Sequence, residues 1–274
     1  MSMNIFQVAK RNVKRNMRRS ILSGIAIMVS SMAIVLLFAF LGGMTADMEK
    51  NLTTYYTGDI RVRNVSFGEF ERYNPIHLTV NEQEVASVLG TTEGVSNYVP
   101  RINIPSSFYI NEGMQATMGI GADFEKESQF QDLDLIIKEG RVPAPEAREM
   151  LIGATLARDL HLELGDSVTV MSTTASRGTN AITLKIVGLA TFPVASLNTQ
   201  YYWTDIDTAR YFLRMDSSQA HELLIRAAGN RPQIADTIEK EVELSSGVKV
   251  ESLAFSEIST IYSLLEIGKI IYYF

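Results

Sequence analysis

Hydrophobic positions follow different rules in different parts of the chain. From Ser20 to Ala46 the sequence runs 27 residues without a charge. Residues 21–44 of that run would give about 36 Å of helix at 1.5 Å per residue. A hydrocarbon core is roughly 30 Å thick, so the segment can cross a lipid bilayer with some tilt. The uncharged run is much longer than the roughly 7–15-residue core of a signal peptide. Cleavage after Ala46 would also place Met44 where a small residue is wanted, so the segment reads as an uncleaved anchor, transmembrane helix 1, over 20–46. At the other end, residues 258–274 are uncharged apart from Glu266 and Lys269, spaced to pair on one helix face. They end without a polar stop, which predicts a stalk and the start of a second transmembrane helix that continues past residue 274.

Between these ends the pattern alternates short strands and helices. Period-two alternation and β-branched content predict strands at 59–63, 95–104, 114–120, 201–204, 222–227 and 249–253. An Asn-Glu-Gly turn at 111–113 joins the second and third. Helical spacing predicts helices at 82–89, 205–214 and 232–243, with Asp205 as an N-cap and Pro232 in the first turn of the last. The middle, 124–198, reads as an insertion. Strand 150–153 leads into helix 154–160, and a turn at Gly165 and Asp166 leads into strand 167–171. A polar loop at 172–180 then leads to strand 182–189. The whole is an α+β domain of two lobes, 47–123 with 199–257 forming one and the 124–198 insertion the other.

Charge adds a direction. The net charge is −6, yet Lys10, Arg11, Lys14, Arg15, Arg18 and Arg19 sit in a 19-residue leader with no acid, leaving 19 bases against 31 acids in the remainder. By the positive-inside rule the leader (1–19) is cytoplasmic and residues from about 46 onward lie outside. The acidic body would repel phosphates, which argues against a nucleic-acid partner. In the leader, Ile5, Ala9, Val13 and Met17 recur every four residues among the bases. That pattern suits a basic amphipathic helix on the inner leaflet, or serves topology alone. Within the span, Ala26, Ser30 and Ala33 form a small-residue face of the kind that lets a second transmembrane helix approach closely.

Catalytic signatures are missing. There is no cysteine, no phosphate-binding Gly-x-x-x-x-Gly-Lys-Ser/Thr loop, no Gly-x-Ser-x-Gly elbow and no His-Glu-x-x-His. His77, His161 and His221 have no ligand-spaced neighbours and read as structural. Asp132/Asp134 and Asp205/Asp207 lack the glycine and glutamate of a calcium loop. Gly119-Ile120-Gly121 lacks a third glycine and reads as a turn. An anchored enzyme is therefore disfavoured, and no cofactor or metal is expected.

The leader Ala9-x-x-Asn12-x-x-Arg15-Asn16 with Arg18 and Arg19, running straight into one long span, resembles permease subunits of ATP-binding-cassette systems of the MacB, FtsX and lipoprotein-releasing type. So does Gly58-Asp59-Ile60-x-Val62. The most specific stretch is Ile152-Gly153-x-x-Leu156-Ala157-x-x-Leu160-x-Leu162-x-x-Gly165-Asp166-x-Val168, followed by Ile186-Val187-Gly188-Leu189. The resemblance implies a MacB-like periplasmic core with a Porter-like lobe (47–123, 199–257) and a Sabre-like lobe (124–198). It implies a four-helix permease in the bacterial inner membrane, its remaining helices following residue 274. It also implies a separate cytoplasmic ATPase subunit and a second permease copy or paralogue, the chain itself being no enzyme. Lipoprotein release is the first functional expectation, with a periplasmic carrier or lipoprotein as partner. MacB-type export of small molecules or peptides, and FtsX-type regulation of extracytoplasmic partners, are the alternatives. One departure stands out: the 172–180 loop is short and lacks the proline of the carrier-docking hook, which puts carrier docking there in doubt.

Overall fold

The computed structural model describes residues 11, 14–110 and 113–258. All of the expected stalk (258–274) but Ile258, the expected turn residues 111 and 112, and Ile5, Ala9, Lys10, Asn12 and Val13 of the leader lie outside the described residues. The chain divides between residues 49 and 50 into two compact units.

The first unit is dominated by a helix, Met17–Leu52, with no buried residue. Large apolar side chains such as Leu22, Ile27, Val35 and Phe40 are all exposed. A long helix with so much uncovered apolar surface is suited to a lipid environment. It is the single helix among the described residues long and apolar enough to cross a membrane.

The second unit is a ten-stranded mixed sheet with helices on its faces. Its strands are β1 (Ile60–Asn64), β2 (Val80–Asn81), β3 (Val95–Ile110), β4 (Gly113–Ala122), β5 (Ile137–Gly140) and β6 (Glu149–Gly153). They continue with β7 (Ser167–Thr173), β8 (Thr179–Ala190), β9 (Tyr201–Asp205), β10 (Gln219–Ala220), β11 (Glu222–Ala227) and β12 (Val250–Ala254). Strands β2 and β10 form a separate small pair; of the other ten, nine follow the order β12-β1-β11-β3-β4-β9-β6-β8-β5, and β7 pairs with β3 and β8 off this path.

The long strand β3 organises this sheet. Residues 95–101 pair with β11, 101–110 with β4, and 106–109 with β7. Because β7 also pairs with β8, and β8 connects through β6 and β9 back to β4, six strands close on themselves. Closure gives each of the six a neighbour on both sides, and β5, paired with β8 alone, is left as the edge at that end. Ile102, Ile104, Phe108, Met150, Ile152, Val170, Leu184 and Tyr202 fill one core, together with Phe212 and Leu213 from the Ile206–Leu213 helix. At the other end β12, β1 and β11 form an open sheet. The Glu82–Leu89 and Arg231–Ser246 helices pack on it through Val85, Leu89, Ala235, Ile238 and Val242.

Local chemistry sets the helix starts. Asn81 accepts from the Gln83 and Glu84 amides, and Asp123 from the Glu125 and Lys126 amides. The expected cap at Asp205 is present and accepts from the Asp207 and Thr208 amides. The expected element at 119–121 is different. Gly119 and Gly121 lie inside β4, not in a turn. A Cβ on Gly119 would run into the Tyr202 ring, and one on Gly121 into the Ala209 side chain. These glycines are there for close packing across the strand. The 172–180 loop is also shorter than expected, because β7 runs to Thr173 and β8 begins at Thr179.

Candidate coupling site at the entrance of the domain

Residues 53–59 (Thr-Thr-Tyr-Tyr-Thr-Gly-Asp) carry the chain from the long helix into β1. Thr53–Thr57 forms a single π-helical turn, a local widening that frees backbone carbonyls from regular pairing. Gly58 follows with φ +70°. A side chain there would crowd the Ile225 amide and Ile60 carbonyl at 3.0 Å, so the position suits glycine alone.

Aromatic packing holds the turn. Tyr55 is buried edge-on against Phe192, with ring centroids 5.9 Å apart. Phe192 stacks on Trp203 at 4.4 Å, and Tyr56 meets Tyr201 edge-on at 6.3 Å. Burial, and next the neighbouring Tyr56, push the Tyr201 phenol up, so it stays protonated.

Beneath the turn lies a buried charge cluster. Arg101, from β3, is 1% exposed. Its guanidinium donates to both Glu127 carboxylate oxygens at 2.7 and 3.0 Å, and through Nη1 to the Tyr55 carbonyl at 3.0 Å. Glu127 sits on the Phe124–Phe130 helix and also accepts from the Gln131 amide at 2.6 Å. Burial works against the Arg101 charge, and the Glu127 carboxylate more than offsets it, so the Arg101 pKa lies above its ordinary value. The fork geometry satisfies one of the orphaned carbonyls of the turn with an ion that is itself neutralised.

Asp59 forms the second half. One carboxylate oxygen accepts from Arg231 at 2.9 Å, the other from the Ala227 amide at 3.2 Å, and Arg226 lies 3.9 Å away. Burial first, and then the like charges of Arg101 and Arg231, pull the Arg226 pKa below its ordinary value, with Asp59 opposing them. The Asp59 carbonyl accepts from the Phe255 amide at 3.0 Å, where β12 ends and the Phe255–Ile258 helical turn begins. Strands β1 and β12 pair antiparallel from Ile60–Ala254 to Asn64–Val250. The start of β1 and the end of β12 therefore lie side by side, and the Asp59 carbonyl joins them.

The expected site residues are placed as follows. Ala26, Ser30 and Ala33 are exposed on the long helix, where the Ser30 hydroxyl donates to the Ala26 carbonyl at 2.8 Å. Arg11, Lys14, Arg15, Arg18 and Arg19 are exposed. Gly165 adopts φ +99°, and the turn is pinned to β8 by Gly165 N–H to the Ile186 carbonyl and Ile186 N–H to the Asp166 carbonyl, both 2.8 Å. The Asp166 side chain also accepts from the Glu163 amide at 2.8 Å. These three groups are not brought together. His221 is 1% exposed, with Nδ1 accepting from the Asn103 amide and Nε2 donating to the Ile76 carbonyl, both at 2.9 Å. Sequence reasoning missed Arg101, Glu127, Arg226 and Arg231. The available signal was the single charge at Arg101 within the strand segment Val99–Ile104, where Asn103 is the one other polar residue.

A profile of the MacB-like periplasmic core domain matches residues 20–243. The periplasmic region of MacB from Actinobacillus actinomycetemcomitans is similar in structure, with TM-score 0.52 and 12% identity over 76% of this chain and 92% of that one. The extracellular domain of the noncanonic ABC-type transporter YknZ from Gram-positive bacteria gives TM-score 0.49 and 12% identity, over 71% of this chain and 98% of that one. No curated protein sequence matches the chain significantly.

Proposed function

The chain belongs to the family of MacB-like periplasmic core domains of ATP-binding-cassette permeases, and from that premise we propose that it carries ATPase-driven motion from the membrane to an extracytoplasmic domain that releases lipid-anchored proteins. A separate cytoplasmic ATPase drives the membrane helices. The first span, 20–46 within the helix Met17–Leu52, crosses the inner membrane with its basic flank in the cytoplasm and the domain outside. The Ala26, Ser30 and Ala33 face contacts a second permease copy or paralogue.

One observation carries this reading. The turn at Tyr55–Asp59 and the turn at Phe255 are joined by the hydrogen bond from the Phe255 amide to the Asp59 carbonyl, and Arg101, Arg226 and Arg231 tie Tyr55 and Asp59 to the domain. A pull through either turn is thereby delivered to the same strands. We retain the division into a 47–123 plus 199–257 lobe and a 124–198 lobe as the mechanical halves that this motion works on.

The test is reconstitution of the complete gene product with its ATPase in proteoliposomes that hold a fluorescent acylated protein. ATP-dependent transfer of the acylated protein from vesicle to supernatant supports the reading. ATP-dependent efflux of small molecules without such release replaces it by an export role.

A further inference from the structure

A cleft of about 540 Å³ opens between the 70–77 segment and the turn that joins β7 to β8. Its walls are built features. On one side, Asn74 adopts a left-handed conformation and buried His221 donates to the Ile76 carbonyl. On the other, the Ser172 hydroxyl donates to the Pro105 carbonyl at 2.6 Å and the Ala175 amide to the Leu213 carbonyl at 2.9 Å. Both walls are thus fixed to the domain before any ligand arrives, which lowers the cost of binding.

The lining has a distinctive charge. No aspartate or glutamate borders the cleft, although residues 20–274 hold 31 acids against 19 bases. Arg177 and His77 do border it. Arg177 is used through its backbone amide, which donates to the Thr174 carbonyl at 2.9 Å. Its guanidinium has no acidic partner among the described residues. That differs from Arg61, Arg63, Arg101, Arg141, Arg210 and Arg231, each of which faces a carboxylate. Two aromatic rings, Phe70 and Tyr73, stand exposed beside it, and Arg72 lies over the Tyr73 ring, donating to its hydroxyl at 2.9 Å.

A guanidinium without an acidic partner, lining one cleft with two solvent-exposed rings, is suited to an anion carried on an apolar body, and the volume is that of a small-molecule site. We propose that this cleft binds a carboxylate attached to an aromatic or branched apolar group, with Arg177 taking the carboxylate and Phe70 and Tyr73 covering the apolar part. A free small acid and the C-terminal residue of a peptide share this chemistry. The site is independent of the transport reading above, and the outcome of the release assay leaves its test unaffected.

Four probes are titrated against the complete protein in nanodiscs by calorimetry and saturation-transfer NMR. They are N-acetyl-phenylalanine, the peptide Gly-Gly-Ser-Gly-Phe with a free C-terminus, and the amide of each. Binding of an acid at millimolar concentration or below, about tenfold tighter than its amide, supports the site. Binding of the peptide alone assigns the ligand to a chain terminus, and equal binding of both acids assigns it to the small acid; either outcome supports the site. Arg177→Gln should abolish the preference for acid over amide, and Arg177→Lys should keep part of it. Tyr73→Ala should weaken acid and amide alike. Equal affinity of acid and amide, an unchanged preference in Arg177→Gln, or no binding of either acid at millimolar concentration would overturn the proposal.

Discussion

Glu127→Gln tests the buried cluster beneath the entrance turn. Glu127 and Arg101 are each 1% exposed, and the carboxylate receives three donors: Arg101 Nε, Arg101 Nη2 and Gln131 Nε2. Glutamine keeps the shape but replaces one acceptor oxygen by an N–H₂ group that faces donors. Arg101 is then a buried cation without a counter-charge. Removing one partner of a buried pair costs about 3–5 kcal/mol. The lower figure is appropriate here, because one oxygen remains and Arg101 still donates to the Tyr55 carbonyl. For a domain of this size about 3 kcal/mol lowers Tm by roughly 6–12 °C. Trp203 is the sole tryptophan and packs on Phe192, which touches Tyr55, so its emission reports this region during urea unfolding. The double variant Arg101→Met with Glu127→Leu removes both charges. It should lose less than the sum of the single variants by about 2 kcal/mol, although the Tyr55 carbonyl and Gln131 lose partners. A Glu127→Gln protein within about 0.5 kcal/mol of wild type, or strictly additive single variants, would refute the clamp.

Two further outcomes follow from the fold. Gly119→Ala should cost about 1–3 kcal/mol in urea unfolding, because the new methyl group meets the buried Tyr202 ring; an unchanged midpoint would contradict the packing described for β4. Burial holds the His221 pKa below its ordinary 6.5, so the folded state resists a proton that the unfolded chain accepts. The His221 contribution is therefore complete above about pH 6.5 and is lost as the pH falls from there toward the lowered folded value, at up to about 1.4 kcal/mol per pH unit. Against a His221→Phe variant, wild type should show the steeper loss below pH 6.5, and parallel profiles would rule this out.

What the sequence discloses depends on how local the cause is. The uncharged 20–46 run, the Asp205 cap and the strand at Ile60–Asn64 are legible, because charge, capping and alternation act over a few residues. The 222–227 strand and the helix at Glu82–Leu89 fall where periodicity puts them. Gly119 and Gly121 mislead, since a glycine that admits Tyr202 or Ala209 looks like a turn until the partner, over 80 residues away, is in place. Closure of the six strands depends on β3 pairing with β7 at its far end, a long-range register that no short motif encodes. The entrance cluster is hidden for the same reason. Asp59, Arg101, Glu127, Arg226 and Arg231 come from five separate segments, and all but Arg101, the lone charge within its strand, resemble solvated surface charges when taken singly. The Gly58-Asp59 pair is the one part of it that a sequence motif marks.

Topology is the claim on which the coupling account rests. The chain has no cysteine, so single cysteines report without background. Ser176→Cys, in the turn between β7 and β8, and Asn16→Cys, ahead of the span, should be compared by labelling intact spheroplasts with a membrane-impermeant maleimide. The account predicts labelling of Ser176→Cys in intact spheroplasts, and of Asn16→Cys after permeabilisation alone. The reverse pattern, or equal labelling of both before permeabilisation, would contradict it.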